Sequence, residues 1–329
     1  MTHIGTRAGT SAATADPLTA GTLALVLAYG GLRLYWQLGH QPERLSPIGP
    51  DLVVFTGWGG VGLCAAAALV LGALLSGRWG AASRRVLRGA AWAVGAALIV
   101  AGAMLLLDVV GAIVPGLGIP FLPLGAASKA VCAGSGALLW RAALTHRRRT
   151  EAGCATCGRP RSGRPSLERT PGWAYAAAYA AMAGCLVRIG AQVAVGWGAT
   201  PYAGGQVLFE AGFVLAGTVL PLALAHRWGR VWPRWVPGLA GRRVPRRLVL
   251  WPAVAVSGGL VAYFGTMLAQ MIFERLNGRN PFPPEGGLDL PEWFFWCAVP
   301  GYLTWGVGLA VAALAYARRT RTACADCGR

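Results

Sequence analysis

The sequence predicts an all-α membrane protein of eight transmembrane helices arranged as two parallel four-helix repeats. Three observations lead there. Of 329 residues, 55% are hydrophobic and only 13% charged, roughly half the charged share of an average soluble domain. Apolar stretches of about 20 residues, the length a helix needs to cross roughly 30 Å of hydrocarbon, recur along the whole chain. Short motifs of the first half reappear in the same order in the second.

The spans fall at about 18–39, 52–75, 88–112, 120–144, 172–195, 206–226, 248–272 and 293–317. They are rich in Gly and Ala, poor choices for a soluble helix but suited to a bilayer, where small side chains let backbones approach closely. Span 1 follows a polar tail, "MTHIGTRAGTSAATADP". It is too long for a signal-peptide core, contains Arg33 and lacks an A-x-A site, so it reads as a retained helix.

Orientation follows from the basic residues. With the N-terminus inside, most of the 30 Lys and Arg fall in cytoplasmic segments: the tail, "GRWGAASRRVLR", 141–171, 226–247 and the end after Ala317. Only Arg44, Arg275 and Arg279 fall in outer loops, beside Glu43, Asp51, Glu274, Glu285, Asp289 and Glu292. The expectation is a multi-pass protein of a bacterial cytoplasmic membrane with both termini cytoplasmic. The high net charge of +18 does not mark nucleic-acid binding, because the basic residues sit in short clusters between apolar runs rather than on one soluble face.

The repeat carries the domain division. "LRLYWQ" (32–37) parallels "VRIGAQ" (187–192), "VVF" (53–55) parallels "VLF" (207–209), and "RWG" (78–80) parallels "RWG" (227–229). "RRVL" (84–87) parallels "RRLV" (246–249), and Cys-x-x-Cys-Gly-Arg closes both halves. An even number of spans per unit makes the repeats parallel rather than inverted. The resulting segments are a disordered cytoplasmic tail, 1–17, repeat 1, 18–159, a cytoplasmic linker, 160–171, and repeat 2, 172–329.

The eight cysteines divide by context. Cys64, Cys132, Cys185 and Cys297 lie singly in or at the edge of apolar spans and read as small hydrophobes. Cys154, Cys157, Cys324 and Cys327 form two Cys-x-x-Cys turns on the predicted cytoplasmic side, where thiols stay reduced. Four thiolates make a closed structural zinc site. A redox dithiol and two unliganded turns are the alternatives, since the pairs are much farther apart in sequence than in an ordinary zinc ribbon.

Charges within spans are costly, about 2.5–3.5 kcal/mol each at a helix centre on insertion scales. They are Arg33, Asp108, Lys129, Arg188 and Glu210, with Gln37 and Gln192 as polar neighbours in Arg-x-x-x-Gln spacing, which places each Arg and Gln on one helix face. By count along the topology all five charges fall in the outer half of the membrane. A guanidinium backed by an amide suits a small anionic ligand. The competing reading pairs Arg33 with Asp108 and Arg188 with Glu210 to fix helix packing.

Two loops stand out. "HRWGRVWPRWVPGLAGRRVPRR" (226–247) interleaves Trp with Arg, a pattern better matched to anionic lipid at a cytoplasmic interface than to nucleic acid. "ERLNGRNPFPPEGGLDLPEWFFW" (274–296) is the longest outer loop, either a cap over an outer cavity or a linker. No Walker, HExxH or GxSxG motif is present.

"LRLYWQLG", "RWGRVWPRWVPGLAGRRVPR" and the use of Arg almost to the exclusion of Lys resemble multi-pass membrane proteins of high-GC Gram-positive bacteria, a family without a known activity. That resemblance implies the membrane fold and no more. Three functional classes follow from the residues: first a transporter or ligand-binding membrane protein using the outer-half charges, then a scaffold or sensor acting through the cytoplasmic Cys/Arg-rich face. The third is a membrane enzyme drawing a reactive pair from Asp108, Lys129 and Glu210.

Overall fold

The computed structural model describes residues 16–42, 45–46, 57–76, 79–113, 120–150, 154, 169–196, 206–282, 290–321, 324 and 326–327. These residues are overwhelmingly helical, and none of them belongs to a β-sheet. In order the helices are α1 (Pro17–Tyr35), α2 (Trp58–Ser76), α3 (Ala81–Ala101), α4 (Leu105–Ile113), α5 (Pro123–Thr150), α6 (Gly172–Val195), α7 (Gln206–Val214), α8 (Leu220–Ala225), α9 (Arg246–Leu276) and α10 (Glu292–Arg319).

Helix starts are written in the sequence. Pro17 opens α1, where its missing N–H is an orphan anyway. Pro171, Pro245 and Pro291 immediately precede α6, α9 and α10. Helix α1 runs on through a π-turn, Trp36–His40, within which Gly39 takes φ +109°, a conformation only glycine adopts without strain.

Five helical segments are long and apolar enough to cross a membrane: Pro17–His40, α2, α6, α9 and α10. A sixth results if α3 and α4 are counted as one broken span. Eight were expected, and each difference has a local cause. The predicted span 88–112 is interrupted at 102–104, where backbone bonds tighten to i→i−3, as in Ala103 N–H to Val100 and Leu105 N–H to Gly102. Helix α5 is long enough, but Ser128, Lys129, Ser135 and Arg141 lower its apolar content. The predicted span 206–226 is divided by a π-turn, Leu215–Val219, just before Pro221. Proline has no N–H for the carbonyl four residues back, so the ladder shifts register there.

The chain forms two compact units. The first comprises residues 1–42, 55–99 and 131–151. Within it Gly30 of α1 packs on Cys64 of α2, and the Cys132 thiol of α5 donates to the Tyr29 hydroxyl at 3.3 Å. A Cβ added to Gly136 of α5 would stand 2.5 Å from the Gly95 carbonyl of α3. Just along the same seam Trp140 Nε1 donates to the Trp92 carbonyl at 3.0 Å.

The second unit comprises residues 43–54, 100–130 and 152–329. Its spine is α6 against α10, brought to backbone contact by small residues. A Cβ on Gly184 would meet the Gly301 carbonyl at 2.4 Å, and one on Gly308 would meet the Ala177 carbonyl at 2.5 Å. Around this seam lie Ala178, Ala181, Cys185, Leu309 and Ala312, all buried. An aromatic stack, Phe264 on Tyr302 at 3.9 Å with Phe213 edge-on to Trp305 at 4.7 Å, fills the space toward α9 and α7. At one end, Arg319 donates from Nη1 and Nη2 to the carbonyls of Ala225 and Leu224, satisfying the last turn of α8 that a helix otherwise leaves open.

Candidate functional site

Three of the four predicted metal ligands converge. Cys154 Sγ lies 3.9 Å from Cys324 Sγ although 170 residues separate them. With Cys327 Sγ they form a trio whose atoms all lie within 4.8 Å of one another. All three residues are half-buried. The spacing carries the chemistry. Four thiolates bound tetrahedrally at about 2.3 Å stand about 3.8 Å apart, whereas a disulfide requires about 2.05 Å. The trio therefore has the spread of a metal-ligand set and is a possible metal site. Cys157, the fourth predicted ligand, lies outside the described residues. The apolar cysteines behave as expected for Cys64, Cys132 and Cys185, which are buried, whereas Cys297 is exposed.

Four of the five charges that the sequence places in apolar runs form two separate pairs. Arg188 of α6 is 3% exposed and donates from Nη1 to both Glu210 carboxylate oxygens of α7, at 2.9 and 3.0 Å. Its Nε donates to the Tyr302 hydroxyl of α10 at 2.9 Å, and the guanidinium lies 4.7 Å from the Phe213 ring centre. This arginine is closed on every side by its own protein. Asp108 of α4 pairs with Lys129 of α5 at 3.0 Å, and Lys129 Nζ also donates to the Leu45 carbonyl at 3.0 Å. Asp108 is 1% exposed, and its Oδ1 has no hydrogen-bond partner.

Arg33 is different. Asp108, its expected partner, is taken by Lys129. Among the described residues no carboxylate pairs with Arg33. Its guanidinium lies 5.6 and 5.9 Å from the ring centres of Tyr29 and Trp36, and its buried Nε has no hydrogen-bond partner.

Neither glutamine backs its arginine. The π-turn at 36–40 changes the register after Arg33, and Gln37 packs instead on Gly57, whose φ is +66°. Gln192, fully buried, donates from Nε2 to the Gly196 carbonyl at 3.2 Å, while its Oε1 is without a partner. Sequence reasoning missed Tyr302, Phe213 and the Leu45 carbonyl. Nothing in a run of aromatic and apolar residues marks the one that will face a charge.

Outside the spans, the Arg279 guanidinium is held above its ordinary pKa by its hydrogen bond with Glu274. A second exposed pair joins Arg275 to Glu292. These contacts lie at the end of α9 and the start of α10, within the stretch 274–296 that the sequence marks as the longest outer loop.

Comparison with known protein families, curated proteins and solved structures finds no match for this chain.

Proposed function

We propose that the chain is a polytopic inner-membrane protein, built from two parallel four-helix repeats, that binds and transports a small anion at Arg33. One observation carries this reading. The repeat places Arg33 opposite Arg188 in sequence, and Phe55 opposite Phe209, so that Thr56 falls where repeat 2 has Glu210. Arg188 has its carboxylate; Arg33 has none among the described residues, and its buried Nε is without a hydrogen-bond partner there. A carboxylate or phosphate ligand would pair with that guanidinium, Arg being a rigid fork of donors. The Asp108–Lys129 and Arg188–Glu210 pairs then serve packing. Enzymatic chemistry is disfavoured because those charges are committed to each other.

The test is thermal unfolding of the detergent-purified protein with inorganic phosphate or acetate. A ligand that binds only the native state stabilises it by about 2.7 kcal/mol at one hundred times its Kd. Anion-dependent stabilisation is expected in wild type and should be absent in Arg33→Gln. Equal stabilisation in both, or none in wild type, removes the reading.

The converging thiols support a second element, a structural zinc ion held by Cys154, Cys157, Cys324 and Cys327. It would fasten the chain following α5 to the chain following α10. With four protein ligands it has no open position and does no chemistry. About one zinc per chain is expected in the purified protein, lost in both Cys157→Ser and Cys327→Ser. Metal-free protein from a reduced, chelator-free preparation contradicts the clamp without touching the Arg33 site.

A further inference from the structure

The segment between α8 and α9 is a folded hairpin rather than a slack linker. After a 3-10 turn at Arg227–Gly229, Val231 bridges antiparallel to Arg243. Trp232 N–H donates to the Arg242 carbonyl at 2.9 Å, Gly241 N–H to Trp232 at 3.0 Å, and Val244 N–H to Arg230 at 2.8 Å. Gly238 and Gly241, with φ of +76° and +75°, make the reversals at its tip. Its base is fixed to α10, through Tyr316 Oη donating to the Gly229 carbonyl at 3.0 Å and Arg246 Nη2 to Ala317 at 3.3 Å.

This hairpin presents an unusual surface. Residues 226–247 contain seven arginines and no carboxylate. Arg227, Arg234, Arg242, Arg243, Arg246 and Arg247 are exposed, and none of them forms an ion pair among the described residues. Between them Trp235 is 82% exposed, with Val231, Leu239 and Trp228 also open. A water-facing loop gains nothing from an uncovered indole. The unpaired guanidinium groups would repel one another unless neutralised from outside.

We propose that the hairpin is a docking surface for anionic phospholipid headgroups, with Trp235 inserted at headgroup depth and the arginines on lipid phosphates. Charge complementarity selects an anionic partner. The tethering of the hairpin between apolar helices, one of them the long apolar α9, selects a membrane over a soluble polyanion. Indoles favour the water–hydrocarbon boundary because the ring is amphipathic. Each arginine near an anionic surface strengthens association about five-fold, so removing three weakens it roughly a hundred-fold at most. The inference rests on the membrane reading of the apolar helices and is independent of the Arg33 site.

The experiment is native mass spectrometry of the full chain released from mixed micelles of phosphatidylglycerol and phosphatidylcholine. The variants are Arg234→Gln/Arg242→Gln/Arg243→Gln, Trp235→Ser, and the charge-matched Arg147→Gln/Arg148→Gln/Arg149→Gln. Thermal melting checks that each is folded. Wild type should retain phosphatidylglycerol in preference, the hairpin triple variant should lose at least about ten-fold of that preference, and Trp235→Ser should weaken it. The 147–149 variant should keep it. Equal loss in both triple variants, or no preference in wild type, overturns the proposal. So does hairpin-dependent capture of a short RNA duplex without lipid preference, which would assign the surface to nucleic acid.

Discussion

Replacing Arg188 with Leu tests whether the charge at the centre of the second unit is held as the structure describes. The change removes three hydrogen bonds, two to the Glu210 carboxylate and one to the Tyr302 hydroxyl. It leaves Glu210, 12% exposed, without its cation. Breaking a buried pair from one side costs about 3–5 kcal/mol in soluble proteins. Polar contacts between membrane helices run weaker, because the unfolded chain in a bilayer also finds partners. The lower end, about 3 kcal/mol, is therefore expected. Adding Glu210→Leu removes the stranded carboxylate, and apolar replacement of a whole buried pair is often neutral. The double variant should thus recover about 2 kcal/mol of the loss. The assay is reversible denaturant unfolding in mixed micelles of wild type, both single variants and the double. Strict additivity, or a single-variant cost below about 1 kcal/mol, would refute the buried-pair geometry.

Three further outcomes follow from the packing. Gly184→Leu forces a side chain into the Gly301 carbonyl and should lower stability by more than the roughly 1–3 kcal/mol of ordinary overpacking, whereas Gly190→Ala, with open space at its Cβ, should be neutral or slightly stabilising; parallel thermal melts compare them. Lys129→Met strands Asp108 with neither oxygen paired and should cost about 3 kcal/mol, partly recovered by adding Asp108→Leu; an uncoupled pair of costs would contradict the ion pair. Arg319→Met leaves the Ala225 and Leu224 carbonyls uncapped and should cost about 1–3 kcal/mol, read as faster amide hydrogen exchange at the end of α8.

Much of the helical framework was legible because its signals are local. Span 172–195 needs only its own apolar run and the flanking Pro171 and Gly196 to declare both ends. The spans that differ depend on details finer than hydropathy. Pro221 diverts a ladder through a π-turn, the backbone tightens at 102–104, and scattered Ser and Lys make α5 less apolar than its length suggests.

The site divides along the same line. Composition, spacing and charge determined by themselves that this is a helical chain rich in membrane-length apolar segments, with costly charges inside them and two matching cysteine turns. Those are properties of residue type and separation along one chain. Tertiary structure alone decided the partners. It gave Glu210 to Arg188, as one sequence reading had it, but gave Asp108 to Lys129, so that Arg33 was left to Tyr29 and Trp36. It also brought Cys154 to within 3.9 Å of Cys324 across 170 residues. Which opposite charges meet is set by how helices rotate and pack in three dimensions, and small residues such as Gly184 and Gly308 fix that packing through contacts with another helix, which a single segment of sequence does not contain.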